Sequence, residues 1–419
     1  MSAGREAPVA IVGGGLAGLA AAIILGEHGI PCTIFEAAPQ PGGRSGSWWS
    51  RADRCWIDHG PHLLLGCYHH LLGLLARAGG SGNIRWQESL ILPLWSADRG
   101  LFTLRPGRLL PLALALPWAV SRLPGHGPGE IGALIRLLRQ PPERRISVAR
   151  WVERLRLPKP PMRDLITPLC LGSMNEAPTR ANAASFHAVL RQAFSSQRNA
   201  RIGWFRHPLR EGLIEPLCAH ARRLGVTIRC NSVIDAIDCS RLSSRGRRFG
   251  PFRRIVLALP PAARNRLLGI RRPVAARAIA NHHFWFDHPL ALPHPRFVGG
   301  IGTKGEWFFD IDAMLERPPS QLHHCCVVIS DAPTDRAVDG KRLLDELAAI
   351  TGHGKLRPVR SRTIVVRRAT HPVGPWPEAD LPDGVIDAAE QPRPGSIPAT
   401  MELAAARGTA AANQVLERW

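Results

Sequence analysis

Three glycines near the start of the chain, Gly13-x-Gly15-x-x-Gly18, restrict its fold more than any other feature. The apolar run Val9–Val12 precedes them and predicts a buried strand, and residues 16–28 follow with the periodicity of a helix. In such a turn the first glycine permits a sharp bend, the second lets a pyrophosphate approach the backbone, and the third allows close packing. Free amides at the helix N-terminus favour the anion. The sequence therefore predicts a βαβ unit that binds a dinucleotide.

The second strand of this unit ends in an acidic residue. Residues 32–35 predict the strand, and Glu36 closes it, roughly 20 residues after the glycine turn, where an acid accepts hydrogen bonds from a ribose hydroxyl. The glycine pattern alone is a weak signal. The strand, turn, helix and acid in this order make it specific.

The run Pro41-Gly42-Gly43-Arg44 distinguishes between the two common dinucleotides. One interpretation is a glycine turn that carries a solvated arginine. The other is the second fingerprint of amine-oxidase-like flavoproteins, in which glycine and arginine run along the cofactor toward the flavin. Because the run follows Glu36 closely, the sequence favours FAD over NAD, with Gly43 and Arg44 as cofactor-binding residues.

The later pattern predicts mixed α/β structure. We expect a helix over residues 63–79, a helix that ends near 224, strands over 226–229, 232–237 and 254–259, strand-rich structure from 281 to about 368, and a last helix over 400–416. Pro- and Gly-rich connections lie at 121–130 and 370–384.

Arginine gives the chain a formal net charge of +21, since lysine occurs only at positions 159, 304, 341 and 355. Part of this excess fits a coding bias toward Arg, Ala, Gly and Pro. The functional interpretation is attraction to an anionic membrane surface. Nucleic-acid binding would require clustered charge, aromatic residues interleaved with it and a recognisable module, which the sequence lacks. We expect peripheral contact with an anionic membrane and no nucleic-acid partner.

An apolar stretch at residues 109–120 is the candidate for that contact. Arginines flank it, Pro111 and Pro117 interrupt it, and it is shorter than the ~20 residues that span a bilayer. It is either a core helix or loop, or a monotopic element that dips into the membrane near a substrate entrance. Residues 1–7 lack a secretory signal, and the nine cysteines show no metal or disulfide spacing. We therefore expect a cytoplasmic protein at the inner membrane face, with no metal.

Several segments resemble the squalene-associated flavoproteins, the hydroxysqualene dehydroxylases of hopanoid biosynthesis, within the amine-oxidase and phytoene-desaturase superfamily. Two are specific for this branch: residues 58–68, DHGPHLLLGCY, and residues 168–175, PLCLGSMN. Residues 256–261, 285–287 and 397–402 are similar to the same family. The resemblance runs from about Val9 to Leu416, which is nearly the whole chain.

The resemblance implies a set of FAD-binding residues. Those of the two N-terminal fingerprints are Gly13, Gly15, Gly18, Glu36, Gly43 and Arg44. The backbone at Val233 would meet the adenine, and Pro398, Ala399 and Thr400 would place amides on the flavin O2 side, where reduced flavin accumulates negative charge. Family members usually carry Gly-Asp before the last helix, whereas this chain has Ala389-Glu390, so Glu390 would replace the Asp.

The implied fold is a Rossmann-like FAD-binding domain of the amine-oxidase type with an inserted α+β substrate domain. We assign residues 1–88, 213–270 and 380–419 to the FAD-binding domain, and residues 89–212 and 271–379 to the substrate-binding domain.

The implied reaction is reductive removal of the hydroxyl of hydroxysqualene to give squalene, with reduced FAD as hydride donor. His62 is the titratable side chain expected near the flavin, either as proton donor or as a structural histidine. An alternative is a carotenoid or squalene desaturase that runs hydride transfer in the other direction. A third is a degenerate scaffold that binds polyprenyl lipid without turnover, suggested by Ala389-Glu390. Prenyltransferases of the squalene pathway are the expected protein partners.

Overall fold

The computed structural model describes residues 9–238, 240–294, 296–316, 322–335, 337–376 and 380–419. Residues 1–7, for which the sequence predicts no secretory signal, and part of the predicted 370–384 connection lie outside them. The strands are β1 (Val9–Val12), β2 (Cys32–Phe35), β3 (Ser47–Ser50), β4 (Cys55–Asp58), β5 (Leu63–Leu65), β6 (Ile84–Trp86), β7 (Leu92–Ser96), β8 (Gly100–Leu104), β9 (Ile202–Phe205), β10 (Thr227–Arg229), β11 (Ala236–Asp238), β12 (Arg241–Ser244), β13 (Arg247–Phe249), β14 (Arg254–Leu257), β15 (Arg277–Phe286), β16 (Phe297–Ile301), β17 (Trp307–Asp310), β18 (His323–Ala332), β19 (Arg360–Thr370) and β20 (Val385–Asp387).

The α-helices are α1 (Leu16–Glu27), α2 (His69–Arg77), α3 (Leu112–Val120), α4 (Ile131–Arg139), α5 (Val148–Arg154), α6 (Lys159–Pro161), α7 (Thr167–Met174), α8 (Ala183–Ala193), α9 (Gln197–Ala200), α10 (Glu215–Arg223), α11 (Pro261–Leu267), α12 (Ile311–Met314), α13 (Gly340–Thr351) and α14 (Met401–Leu416). Short 3₁₀ turns lie at Ser81–Asn83 and Pro128–Glu130. π-Helical turns at Met162–Ile166 and Arg210–Ile214 lead into α7 and α10.

A parallel five-stranded sheet, in the order β10-β2-β1-β14-β20, carries the N-terminal βαβ unit. β1 lies between β2 and β14, with Val9 opposite Cys32 on one side and Arg254 on the other. Both faces are covered, so β1 is wholly buried, and α1 packs against the C-terminal helix α14. The predicted α/β fold is confirmed, and the first strand and helix lie within a residue of where the glycine turn predicts them.

A second, mostly antiparallel sheet has seven strands in the order β19-β15-β18-β17-β16-β7-β8. It combines β7 and β8 with strands from the later part of the chain, joined by the parallel pair β16–β7. The helices α3, α4, α5, α7 and α8 share a separate hydrophobic core with one face of this sheet. The division of the chain into an FAD-binding domain and a twice-inserted substrate-binding domain stays a prediction.

Two predictions of secondary structure are wrong in part. The helix expected over residues 63–79 is confined to α2, because Leu63–Leu65 form β5 and pair with β9, more than a hundred residues away. The strand expected over residues 232–237 begins only at Ala236, because Asn231 has a left-handed backbone and turns the chain back toward residues 36–38. In both places long-range contacts override the local pattern.

The apolar stretch 109–120 contains α3, which begins after Pro111. One face of α3 is buried, as the interpretation of this stretch as a core helix predicts. The other face is exposed at Leu114 and Trp118, and Leu109 and Leu110 precede it in solvent. Among the described residues, we find no helix with both the length and the apolar character that crossing a membrane requires.

Candidate active site

The three fingerprint glycines have different surroundings. A Cβ on Gly13 would lie 2.4 Å from the carbonyl oxygen of Ala258, and one on Gly18 would lie 1.9 Å from that of Gly13. Gly13 also has a left-handed φ of +108°. Nothing lies within 4 Å of a Cβ on Gly15. The first and third glycines are therefore required by the fold itself, whereas the second faces open space at the N-terminus of α1.

Glu36 holds this turn in shape before any ribose is bound. Its two carboxylate oxygens accept hydrogen bonds from the backbone N–H groups of Gly14 and Ala38, both at 2.7 Å. The carbonyl oxygen of Glu36 accepts one from Ser232 N–H (2.8 Å), which brings the half-exposed Val233 segment to the same edge. A carboxylate has about four lone-pair sites, so two remain for ribose hydroxyls.

The second fingerprint meets the first. A Cβ on Gly43 would lie 3.4 Å from Gly15 Cα, so the two glycines border the same space. Arg44 forms an ion pair with the buried Glu390 and donates to the carbonyl oxygen of Ala369 (2.9 Å). Oε1 of Glu390 is buried without a hydrogen-bond partner among the described residues. An open glycine surface and an unpaired carboxylate oxygen fit an extended ligand that carries phosphates and hydroxyls.

The loop that carries Glu390 is clamped by residues that sequence reasoning missed. Arg407 of α14 donates to the carbonyl oxygens of Asp387 (2.6 Å) and Ala389 (3.0 Å). Arg264 of α11 forms a buried ion pair with the Asp387 carboxylate, which also accepts from Ala389 N–H (2.8 Å). Arg264 and Asp387 are 123 residues apart, so no spacing pointed to them.

The segment before α14 opens the last helix as expected. Thr400 is its N-cap, because its hydroxyl accepts from Leu403 N–H (3.2 Å). Pro398 has no N–H, so of the three residues named from the sequence only Ala399 and Thr400 can donate amides to a flavin. Glu402 points elsewhere: its carboxylate accepts from His70 and Leu71 N–H (both 2.9 Å) at the start of α2. That pairing explains the acidic residue in the 397–402 motif.

The 168–175 motif ends in a structural asparagine. Asn175 is the left-handed C-cap of α7 and is buried. Its side chain accepts from Asp331 N–H (2.6 Å) in β18 and donates to Thr370 Oγ1 (2.8 Å) in β19. One side chain thus ties α7 to two strands of the seven-stranded sheet.

A mainly apolar cavity lies between the 58–62 segment, β15, β18 and α12. Its apolar lining comprises Ile57, Pro61, Phe205, Leu209, Ile311, Met314 and Leu315. Four polar side chains also face it: Asp58, His62, His283 and His324. Asp58 Oδ1 accepts from the Ser47 hydroxyl (2.5 Å) and Leu209 N–H (2.9 Å). Of these histidines, the sequence predicts only His62 as a site residue. His283 and His324 were missed, although residues 285–287, which follow His283 in β15, belong to a segment similar to the family.

Two of these histidines form a hydrogen-bonded pair. His283 Nε2 lies 3.3 Å from the carbonyl oxygen of His59, and His283 Nδ1 lies 3.0 Å from His324 Nε2. A carbonyl only accepts, so Nε2 carries the proton and a neutral His283 accepts from His324 at Nδ1. Burial lowers the pKa of His283 to about 4, against the opposing effect of the His59 carbonyl.

His62, the third histidine that lines the cavity, is not part of this hydrogen-bonded pair. Its Nδ1 is buried and has no hydrogen-bond partner among the described residues. Burial lowers the pKa of His62 to about 4, and the Gly60 carbonyl opposes this only in part. The imidazole is therefore neutral at pH 7, and its role as a proton donor stays a prediction.

The α/β fold and the open glycine surface at Gly15 and Gly43 are those of an FAD-dependent oxidoreductase. The family model for flavin containing amine oxidoreductases matches residues 16–373, and the chain belongs to that family. It is 28% identical to the hydroxysqualene dehydroxylase of Rhodopseudomonas palustris, over 97% of this chain and 98% of that protein. It is 27% identical to the enzyme of the same name from Sinorhizobium fredii, over 72% and 73% of the two chains. The predicted resemblance is confirmed.

A solved structure supports the fold. An oxidoreductase from Methanosarcina mazei superposes with a TM-score of 0.73, covering 98% of this chain and 100% of that chain, at 14% identity. At this identity the match carries the fold alone.

Proposed function

We propose that the protein removes the hydroxyl of hydroxysqualene reductively and releases squalene. The observation that carries this proposal is the similarity to a hydroxysqualene dehydroxylase over nearly the full length of both chains. The mainly apolar cavity with three histidines is consistent with contact to the part of an apolar substrate that bears one polar group.

Bound FAD, when reduced, supplies the hydride for this reaction. We propose that Gly13, Gly15, Gly18, Glu36, Gly43, Arg44, Val233, Glu390, Pro398, Ala399 and Thr400 form its site. Arg44 and the helix N-termini of α1 and α14 would stabilise negative charge on the cofactor, and the unpaired Glu390 oxygen would accept from a hydroxyl. These contacts are supported by the open surface at Gly15 and by the Arg44–Glu390 ion pair.

The cavity would act by excluding water. A departing hydroxyl leaves an electron-deficient carbon that bulk water would capture, so an apolar lining favours the hydrocarbon product. His62 lines the cavity and is the proposed residue to assist the departing oxygen. Because its imidazole is neutral at pH 7, that assistance would be a hydrogen bond rather than transfer of a proton from an imidazolium.

The protein would meet its apolar substrate at a membrane. Leu109, Leu110, Leu114 and Trp118 present an exposed apolar surface, and Arg122 lies over the Trp118 ring at 4.6 Å. With a net charge of +21, this surface suits the anionic inner face of a bacterial membrane. Prenyltransferases that make the squalene precursors are the proposed neighbours.

A single turnover tests the reaction. Anaerobic enzyme with reduced FAD should convert hydroxysqualene to squalene and reoxidise its flavin once per chain. In D2O one deuterium should appear at the carbon that lost oxygen, and an H2O control should give none. Formation of a more unsaturated polyene from squalene, with hydroxysqualene untouched, would assign the protein to the desaturases. A protein that cannot be loaded with FAD would favour the non-catalytic lipid-binding scaffold.

A further inference from the structure

A second cavity lies between the loop that follows β20 and the helix α14. Its volume is about 470 Å³, which is within the range of small-molecule sites. The polar part of its lining comprises Asp387, Gln391, Arg393, Ser396 and Arg407. None of the residues proposed to bind FAD lines this cavity. It is therefore separate from the glycine surface on which FAD is proposed to lie.

Side chains of the loop face in two directions. Glu390 pairs with Arg44 and does not line the cavity. Asp387 and Gln391 do line it, and Gln391 Nε2 donates to Asp387 Oδ2 (2.9 Å). The loop thus stands between the Arg44–Glu390 ion pair and the cavity.

The cavity holds more positive charge than the protein neutralises there. Asp387 is the only acidic residue in its described lining, and that carboxylate already accepts from a backbone N–H and from Gln391 and pairs with the buried Arg264. The guanidinium groups of Arg393 and Arg407 form no ion pair among the described residues. Three guanidinium groups thus accompany one carboxylate, and two positive charges remain without a counterion in the described part of the chain.

Arg407 is held in place by the loop itself. It donates to the carbonyl oxygens of Asp387 (2.6 Å) and Ala389 (3.0 Å), while its Nη1 has no partner among the described residues. Burial lowers the pKa of Arg407, although the Asp387 carboxylate opposes this effect. The positive charges of Arg393 and Arg264 lower that pKa further, and an anion at Nη1 would offset their repulsion.

The chemistry of the two free guanidinium groups selects the anion. A guanidinium group matches the oxygens of a phosphate or of a carboxylate through paired N–H donors. A carboxylate carries a single negative charge, whereas a phosphate group carries about two at pH 7. A phosphate group therefore balances both guanidinium groups at once.

We propose that this cavity binds a phosphate group, free in solution or carried by a nucleotide, between the guanidinium groups of Arg393 and Arg407. The proposal goes beyond the reaction proposed above and does not depend on it. Because Arg407 also holds the Glu390 loop through two carbonyl oxygens, a bound phosphate should make that loop harder to open. FAD and phosphate should then strengthen each other's binding, since coupling between two sites is reciprocal.

Isothermal titration calorimetry of the FAD-loaded protein tests the binding. Inorganic phosphate, pyrophosphate and ADP are titrated separately, with the ionic strength held constant by sodium chloride. We expect saturable binding at a single site on each chain. Tighter binding of ADP than of pyrophosphate assigns the site to a nucleotide, and the reverse order assigns it to the free anion. No saturable binding of any of the three overturns the proposal.

Substitutions of arginine separate this site from general electrostatics. Arg393→Met should fold, because the side chain is exposed, and should weaken phosphate binding by roughly tenfold or more through loss of a charge-assisted contact. Arg393→Lys keeps the charge and should recover part of the affinity. Arg266→Met is the matched control, because it removes an exposed arginine outside the cavity and should leave the binding unchanged. Equal weakening by both methionine variants would show that only the net charge matters, and would overturn the proposal.

The rate of flavin loss is an independent readout, measured by the fluorescence of FAD released after dilution. Saturating phosphate should slow the loss by roughly fivefold or more in the wild type and leave it unchanged in Arg393→Met. Binding without any effect on flavin loss would reject the coupling through Arg407. Phosphate that binds only after FAD has been removed would place the anion in the FAD site and overturn the proposal. None of these measurements uses hydroxysqualene, so their outcome is distinguishable from that of the single turnover.

Discussion

Substitutions at Gly15 and Gly18, three residues apart, should impair the protein for different reasons. In Gly15→Val the new side chain enters open space, since nothing lies within 4 Å of its Cβ and the backbone φ is −77°. In Gly18→Ala the new methyl carbon would lie 1.9 Å from the carbonyl oxygen of Gly13, where α1 packs on the turn. The first change should spare the apoprotein and eliminate FAD binding, and the second should damage the fold.

The expected magnitudes differ clearly. Gly15 is the N-cap of α1, so an apolar replacement lowers the free energy of unfolding of the apoprotein by about 1 kcal/mol. Overpacking at Gly18 lowers it by about 3 kcal/mol or more, because backbone atoms cannot move aside as a flexible side chain does. FAD at about 1,000 times its Kd adds roughly 4 kcal/mol to wild type, and Gly15→Val should gain nothing from it.

The assay is denaturant unfolding of each apoprotein with and without added FAD, together with the flavin absorbance after gel filtration. Gly18→Ala should be unstable in both conditions. Normal flavin retention in Gly15→Val would show that the pyrophosphate does not lie on this turn, and a strongly destabilised Gly15→Val apoprotein would contradict the open space at Gly15.

Three further changes test other parts of the structure. Arg264→Met leaves the Asp387 carboxylate without its buried partner, which should lower the free energy of unfolding by about 3–5 kcal/mol and weaken FAD retention, whereas exposed Arg266→Met on the same helix should change neither. The double variant Leu114→Ser, Trp118→Ser should sediment less with anionic liposomes, and ~1 M salt should release part of the wild-type protein from them. Equal binding of the wild type to neutral and anionic liposomes would reject the electrostatic contribution to membrane binding. In the buried His126 cluster each ring nitrogen faces a carboxylate, Glu130 at 2.7 Å and Asp164 at 2.9 Å. Burial lowers the pKa of His126, but these two hydrogen bonds outweigh it and raise that pKa above 6.5. The resulting stabilisation is complete below pH 6.5 and is lost as pH rises through the folded-state pKa, so the melting temperature should fall over that range in wild type and stay level in His126→Asn.

The N-terminal FAD-binding residues could be predicted because they lie close together in the sequence. The glycine turn, Glu36 and Gly43-Arg44 lie within about 30 residues, and the steric reasons for Gly13 and Gly18 are contacts within one βαβ unit and its neighbouring strand. Glu390 is far away in sequence, yet a family pattern indicated it. The clamp that holds its loop was not predictable, because Arg264, Asp387 and Arg407 come from three elements whose packing no periodicity encodes.

The two cavity histidines His283 and His324 could not be predicted from the sequence, for a different reason. His282 and His283 are adjacent in β15, and adjacent strand residues point to opposite faces. His282 contacts Thr363 (2.7 Å) and packs against Gly340, whereas His283 faces the cavity and meets His324, 41 residues later in β18. A shift of one residue in strand register would exchange their roles. The composition of the strand therefore leaves open which histidine is functional, and only the pairing of β15 with β18 decides it.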